Sequence, residues 1–223
     1  MQQIRLGDWL GWCPDNIDRL QHPQLLTTDK PGQSLPAMLR RRLDTSGRAV
    51  CDLLARLDPD ARYPLIHASR HGDASRTLDM LKGLVNQEPP SPTRFSMSVH
   101  NATLGVHSIA NGHHRPLQAL SASGNELEAM FWEAAGYLAQ GQSSVVVAFS
   151  EGELPEDYVG HTTHPGFPCA IAMRLTLNQG PCLMNSNTDG SEGAPHPFDV
   201  IRWLSGSTTT LAGRQQQWRL EQL

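Results

Sequence analysis

Residues 121–125 read Ser-Ala-Ser-Gly-Asn and lie between an apolar run and a helical pattern. A sharp turn between a strand and a helix exposes one side chain, and the helix N-terminus stabilises an anion that forms there. Many enzymes therefore keep a nucleophile at such a turn. No cysteine occupies this one, and neither Ser121 nor Ser123 is preceded by the glycine of a G-x-S-x-G motif. The segment has the position of a nucleophile turn but lacks a thiol.

A serine-dependent reaction is the alternative chemistry for this segment. Ser121 or Ser123 would act as the nucleophile if a histidine such as His100 or His107 accepted its proton, giving a small acyl hydrolase or transferase. The spacing identifies no acidic residue that would orient the histidine, so this alternative stays open. Asn125 is expected to be the N-cap of the following helix.

The histidine pairs of the chain do not predict a metal site. His161 and His164 have the H-x-x-H spacing, but Gly160, Pro165 and Gly166 argue against the helix that would bring the two rings together. We therefore expect no bound metal and no cofactor.

The elements that would position these residues alternate between strands and helices. Apolar patterns predict strands at 4–12, 63–69, 117–121, 143–150 and 169–177. Helical spacing of apolar residues predicts helices at 34–57, with a weak point at Gly47, and at 73–85, 101–110 and 125–139. Strands separated by helices favour an α/β fold with a mostly parallel sheet covered by helices on both faces, and we expect residues 1–223 to form a single domain.

Composition excludes several classes of function. The net charge is −4 and the isoelectric point is about 6.2, which does not suggest a nucleic-acid partner. The four cysteines have unrelated spacings and no C-x-x-C motif, as in a protein with reduced thiols. No signal peptide and no apolar run long enough to span a bilayer is present, so a cytoplasmic location is expected.

Six residues before the turn carry a family resemblance: Ser91, Pro92, Asn101, Gly105, Gly112 and Pro116. Their spacing resembles the N-terminal half of the β-ketoacyl synthases, which have the thiolase fold. In that register the family's nucleophile falls on Gly124, and aligning the next helix at Gly141 moves it to Asn125. The segments LPAMLRRRL and HASRHG are similar to a short subgroup found without the second half of the fold.

The resemblance implies a noncatalytic subunit. In the family, the histidines that assist the cysteine come from a C-terminal half, and this chain ends before that half would begin. The expected function is that of a chain-length-factor-like subunit, which pairs with a full-length β-ketoacyl-ACP synthase and shapes its acyl tunnel. The pathways implied are aryl polyene, fatty-acid or polyketide biosynthesis. A stabilising scaffold subunit without a role in the tunnel is an alternative.

The resemblance also implies roles for individual residues. The strand at the subunit interface would consist of Leu117, Gln118, Ala119, Leu120 and Ser121. The residues that reach the partner's tunnel would be Arg94, Phe95, Ser98 and Val99. An acidic acyl carrier protein would reach the complex, and Arg40, Arg41 and Arg42 are either its docking patch or simply a solvated helix face.

Overall fold

The computed structural model describes residues 3–15, 17, 20–188 and 193–222. The strands are β1 (Arg5–Trp12), β2 (Leu65–Ala68), β3 (Leu117–Leu120), β4 (Ser144–Glu151), β5 (Cys169–Thr176), β6 (Cys182–Asn187), β7 (Leu211–Ala212) and β8 (Gln216–Glu221). The helices are α1 (Ala37–Arg40), α2 (Thr45–Leu57), α3 (Ala74–Val85), α4 (Pro92–Ser96), α5 (Ala102–Asn111), α6 (Glu126–Ala139) and α7 (Pro197–Leu204).

The strands form one eight-stranded sheet in the order β3-β2-β4-β5-β1-β6-β8-β7. The expected α/β class is confirmed, but the expected mostly parallel sheet needs correction. Only β2, β3 and β4 run parallel to one another, and the other pairings of the described strands are antiparallel.

The connections explain this mixture. The links from β2 to β3 and from β3 to β4 both contain helices. Such crossovers let β3 and β4 run parallel to β2, which lies between them. The link between β4 and β5 contains only a 3₁₀ turn, Glu156–Tyr158, so β5 returns antiparallel to β4. The carboxyl ends of β2, β3 and β4 consequently meet at one edge of the sheet, where the turn at 121–125 lies.

The sheet lies between two helical layers. Val145, Val147 and Phe149 of β4 pack in the same core as α6 and α7, whereas Val146 and Ala148 pack with α2 and α5. All of β4 is buried, as its continuous β-branched sequence predicts. No helix in the described ranges is long and apolar enough to cross a membrane.

The helix expected at 34–57 is divided into two, and the break is not at Gly47. Asp44 begins α2 as its N-cap, with its side chain accepting a hydrogen bond from the Gly47 amide at 2.8 Å. Gly47 lies in the first turn of α2, where a Cβ atom would lie 2.9 Å from Asp44 Oδ1 and 3.0 Å from Thr103 Oγ1. This glycine therefore allows close packing rather than a kink.

Asp52 attaches the loop before α1 to helix α2. Its buried carboxylate accepts hydrogen bonds from the amides of Gly32 at 2.6 Å, Gln33 at 3.1 Å and Ser34 at 2.7 Å. This carboxylate satisfies three backbone donors that the loop geometry leaves without another partner, and so fixes the segment that leads to Arg40.

We expect the Asp52→Ala variant to lower the free energy of unfolding by about 3 kcal/mol, because it leaves buried amides without an acceptor. Urea denaturation measures the effect. Asp60→Ala is the control, since Asp60 makes an exposed ion pair with Arg62 and such pairs contribute about 0.5 kcal/mol. Equal losses in the two variants would contradict the role given to Asp52.

Candidate functional site

The turn that follows β3 is tightly folded. The Asn125 amide donates to the Ala122 carbonyl oxygen at 3.0 Å, and the backbone φ angles of Ser123 and Gly124 are 50° and 109°. Helix α6 begins immediately afterwards at Glu126. The strand, turn and helix expected from the sequence are all present.

A buried carboxylate fills the inside of this turn. Glu126 accepts hydrogen bonds from the Gly124 amide at 2.9 Å and the Ala122 amide at 3.2 Å, and it pairs with Arg70 Nη2 at 3.1 Å. Burial opposes ionisation of Glu126, but the Gly124 amide and the Arg70 guanidinium outweigh it and lower its pKa. Glu126 thus uses the amide groups that an oxyanion would need at this helix terminus.

Arg70 connects the turn to the rest of the sheet edge. Besides Glu126, its guanidinium donates to Thr163 Oγ1 and to the Pro195 carbonyl oxygen, both at 3.1 Å. Its backbone amide donates to Glu151 Oε1 at 2.6 Å. One arginine therefore joins four separate segments around the turn.

Glu151, at the end of β4, is a buried acid with an incomplete set of partners. Burial raises its pKa to about 7, an effect that the Arg70 amide only partly offsets. Its Oε2 atom is buried and has no hydrogen-bond partner among the described residues. Glu151 therefore ionises near neutral pH inside the folded protein.

Gly124 and Asn125, the two positions aligned with the family's nucleophile, differ in their surroundings. A Cβ atom at Gly124 would lie 3.1 Å from Ala194 Cβ and 3.2 Å from Arg214 Cζ, and a φ of 109° is one that side-chain-bearing residues rarely adopt. Asn125 is the N-cap of α6, as expected, but its side chain makes no capping hydrogen bond. Arg214 donates from Nη1 to the Ser123 carbonyl oxygen at 2.9 Å and closes the turn from outside.

The serine and histidine residues of the alternative mechanism are not brought together. Ser121 Oγ donates to the Arg70 carbonyl oxygen at 3.4 Å, and Ser123 is exposed. His100 Nδ1 instead shares a hydrogen bond with Ser69 Oγ at 3.1 Å. His107 lies 3.3 Å from the Asn111 side-chain nitrogen, within helix α5.

Two hydrogen bonds between a serine and a histidine, which the sequence did not predict, lie near the carboxyl ends of β2 and β4. His67 Nε2 shares a hydrogen bond with Ser150 Oγ at 2.9 Å, and burial lowers the pKa of His67 to about 4. His67, Ser150 and the Ser69 and His100 pair line a cavity of about 30 Å³. His67 lies in an apolar strand, so the sequence alone predicts only a core position for it.

The residues expected to reach the partner's tunnel lie in and just after α4. Arg94 and Phe95 belong to α4, and Phe95 is 63% exposed. Arg94 pairs with Asp79 of α3 at 3.0 Å. Ser98 Oγ donates to the Phe95 carbonyl oxygen, and Val99 is exposed at one side of the small cavity that contains His67.

The strand expected at the subunit interface is at the edge of the sheet. Leu117, Gln118, Ala119 and Leu120 pair in parallel with β2, and no described strand lies on the other side of β3. Leu117 and Ser121 are exposed. The backbone of β3 therefore offers one edge for pairing with another chain.

The three consecutive arginines do not share one face. Arg40 is partly buried, with its Nε atom lacking a hydrogen-bond partner among the described residues, and its side chain packs close to Gly32. Arg41 and Arg42 are exposed, and together with Arg76 and Arg94 they line a shallow depression of about 490 Å³.

In the H-x-x-H pair, the His164 ring has a partner other than a metal. His164 Nε2 shares a hydrogen bond with the Gly152 carbonyl oxygen at 2.6 Å. In the described ranges no group of three or more histidine, cysteine, aspartate or glutamate side chains has an arrangement that could hold a metal ion.

We expect Gly124→Cys to lower the free energy of unfolding by about 2 kcal/mol, because a side chain at this φ is strained and would meet Ala194 and Arg214. Asn125→Cys is the matched control and should cost less than half as much, since the φ of Asn125 is −109°. Urea denaturation of both variants measures the difference. Similar stability for the two would show that the turn accepts a side chain at either position.

Glu151→Gln should change how stability depends on pH. The folded-state pKa of Glu151 is raised, so its protonated form contributes stability below about pH 4.5, and this contribution is lost as the pH rises through about 7. The variant should gain about 2 kcal/mol relative to the wild type between pH 5 and pH 8. Glu153→Gln, at an exposed position, is the control and should show no such gain. A difference between wild type and Glu151→Gln that is constant with pH would contradict the raised pKa.

Comparison with known proteins gives the family and the fold. A family model described as "Beta-ketoacyl synthase, N-terminal domain" matches residues 9–221. A comparison with curated proteins found no match.

Several solved structures share the fold. A chain of the structure "Ketosynthase (ApeO) in Complex with its Chain Length Factor (ApeC) from Xenorhabdus doucetiae" is 24% identical, with a TM-score of 0.81 and all of both chains covered. "The ishigamide ketosynthase/chain length factor" is 12% identical with a TM-score of 0.58, covering 85% of this chain and 68% of that chain. The structure "AntDE:AntF (apo): type II PKS acyl-carrier protein in complex with its ketosynthase bound to the hexaketide" is 12% identical with a TM-score of 0.58, covering 84% of this chain and 70% of that chain. The chain belongs to the β-ketoacyl synthase N-terminal domain family and has its thiolase-like fold.

Proposed function

We propose that this chain is a noncatalytic, chain-length-factor-like subunit that pairs with a full-length β-ketoacyl-ACP synthase and shapes its acyl tunnel. The observation that carries the proposal is the turn after β3, which keeps the family's strand, turn and helix but has no thiol. Glu126 binds the amides of Ala122 and Gly124, and Arg214 closes the turn from outside. A turn filled in this way cannot hold an acyl group and its oxyanion.

The free edge of β3 supports pairing with the synthase. An exposed strand edge presents unpaired amide and carbonyl groups, which another strand can satisfy by extending the sheet. Leu117 to Leu120 would therefore pair with the matching strand of the synthase, as the family resemblance suggests. The similarity to a chain from a complex of a ketosynthase with its chain length factor agrees with this role.

The exposed residues in and just after α4 support a role in the synthase's acyl tunnel. Phe95 and Val99 are apolar and exposed in the isolated chain, as expected for side chains that a partner covers. Arg94 and Ser98 lie beside them. In this proposal the four residues line the end of the synthase's acyl tunnel, and their size limits the chain that the tunnel holds.

Arginines beside this region suit an acidic carrier protein. In the depression described above, Arg76 and Arg94 form ion pairs with Asp73 and Asp79. Arg41 and Arg42 are exposed and form no ion pair among the described residues, whereas Arg40 packs against the loop at Gly32. Clustered guanidinium groups attract acidic surfaces and phosphate groups. We therefore propose Arg41 and Arg42, without Arg40, as the part of the predicted patch that meets the carrier.

The proposal includes the cellular setting. Cys51, Cys169 and Cys182 are buried thiols outside any disulfide, as in proteins of a reducing compartment. We propose a cytoplasmic subunit of an aryl polyene, fatty-acid or polyketide pathway, in which the carrier protein brings the growing chain to the complex.

The test is co-expression with a full-length β-ketoacyl-ACP synthase from the same organism. Size-exclusion chromatography with light scattering measures the stoichiometry, and a condensation assay with acyl and malonyl carrier proteins measures activity. We expect an equimolar complex that condenses, and no condensation by this chain alone. A homodimer that ignores the ketosynthase would contradict the proposal.

We expect Val99→Trp to shorten the main product of the complex without weakening the pairing, because the larger ring would fill space in the tunnel. Mass spectrometry of carrier-bound products measures the change. Val159→Trp is the control, since Val159 is also an exposed valine but lies in the segment between β4 and β5. An unchanged product distribution from an intact Val99→Trp complex would favour a scaffold subunit without a tunnel role.

A further inference from the structure

Exposed large apolar side chains are concentrated in one part of the chain. Ten such side chains are exposed among the described residues, and seven of them fall between Leu81 and Leu117: Leu81, Leu84, Val85, Phe95, Val99, Ile109 and Leu117. A scattered distribution would need no explanation, but a concentrated one marks a surface that another molecule covers. Phe95, Val99 and Leu117 already have a role in the proposed function, whereas the residues of α3 do not.

Helix α3 is amphipathic but buries almost nothing. Its apolar residues Leu78, Leu81, Leu84 and Val85 have helical spacing, and we call them the α3 face. Leu81, Leu84 and Val85 are 49%, 53% and 83% exposed, and Ala74 is the only buried residue of the helix.

Polar contacts hold α3 against the rest of the protein instead. Asp79 pairs with Arg94 of α4, and Lys82 pairs with Asp157 of the 3₁₀ turn, both at 3.0 Å. Arg76 Nη2 donates to the Arg42 carbonyl oxygen at 2.9 Å. Arg76 and Asp79 lie on the side of the helix away from the α3 face, whereas Lys82 lies beside Leu78 at the margin of that face. Ala74 is buried and Leu78 is partly buried on the same side of the helix, so the exposed part of the α3 face is its C-terminal half, Leu81, Leu84 and Val85.

The proposed pairing through β3 is too small to hold two proteins together by itself. The strand has four residues and a length of about 13 Å at 3.3 Å per residue. A stable interface buries about 800 Å² on each partner, contributed by about 20 to 30 residues. Contacts beyond β3 are therefore required.

A continuous series of contacts leads from β3 to the α3 face. Helix α5 contacts β3. Met97, after α4, packs in one cluster with Val106 of α5, and α4 contacts α3 and carries the Arg94 to Asp79 pair. These contacts connect α3 to β3 through α4 and α5, and each of the helices carries an exposed apolar residue: Leu81 on α3, Phe95 on α4 and Ile109 on α5.

We propose that the α3 face is a second contact surface for the ketosynthase subunit, which would cover it with an apolar patch of its own. This inference rests on the proposed function. It assigns α3 as an interface helix, with Leu81 and Leu84 at the centre and Val85 at the end nearer the loop that follows.

The test measures the dissociation constant of the co-expressed, purified complex for single variants. Leu81→Glu places a charge in the proposed contact and should raise the dissociation constant at least about tenfold. Ser75→Glu adds the same charge at an exposed position of α3 outside the face and should change it by less than about threefold. Because Leu81 is only half exposed, Leu81→Glu could destabilise the isolated chain. If the melting temperature of Leu81→Glu is lower than that of the wild type, Val85→Asp is used in its place, since Val85 is more exposed.

Different outcomes separate this inference from the proposed function. If the wild-type chain pairs and Leu117→Glu weakens the complex while Leu81→Glu does not, the α3 face is not an interface, although the pairing stands. If the wild-type chain does not pair at all, both proposals are lost. If Leu81→Glu dissolves a homodimer of this chain, the occupant is a second copy, which overturns the assignment to the ketosynthase.

Discussion

The ion pair between Arg70 and Glu126 determines the structure around the turn. Both side chains are almost completely buried, so each charge depends on the other and on the hydrogen bonds around it. Removing one partner of such a pair costs about 3 to 5 kcal/mol, because the other charge is left without compensation. The pair joins β2 to the start of α6 and also reaches Pro195 and Thr163. The turn to which the sequence resemblance assigns the family's nucleophile is here occupied by a structural interaction.

Two parts of the molecule thus have opposite properties. At the turn, the buried Arg70 and Glu126 charges are paired, and a side chain at Gly124 would be strained and tightly packed. Along α3, α4 and the β3 edge, apolar groups and unpaired backbone are exposed. The first part explains why the chain is proposed to lack catalysis, and the second why it is proposed to need a partner.

Periodicity predicted most of the elements, because helical spacing and buried β-branched runs report directly on packing. The strand at Ser144–Glu151 and the helix at Glu126–Ala139 are examples. The expectation of a mostly parallel sheet was wrong for β5, because the link between β4 and β5 contains only a loop and a short 3₁₀ turn and so returns the chain antiparallel to β4. The break before α2 was misplaced for a local reason: Asp44 caps the helix, and Gly47 only permits close packing.

The position of the turn was predictable, but its contents were not. Glu126 looks like an ordinary acidic residue in the first turn of a helix, and Arg70 like a residue of an exposed loop. Their contact spans 56 positions in the sequence, and no pattern within one chain encodes such a pairing. Ser69 and His100, likewise, are 31 positions apart and come together only when the segment after β2 meets the segment before α5.

The open edge of β3 has a consequence for how the protein is made. A short strand with free backbone groups and an exposed Leu117 can pair with any similar edge, including that of another newly made copy. A subunit with such an edge is least prone to aggregate when a binding partner is present while it folds. Synthesis of this chain and its proposed partner in matched amounts, close together in time, would then protect the cell from aggregates of the surplus one.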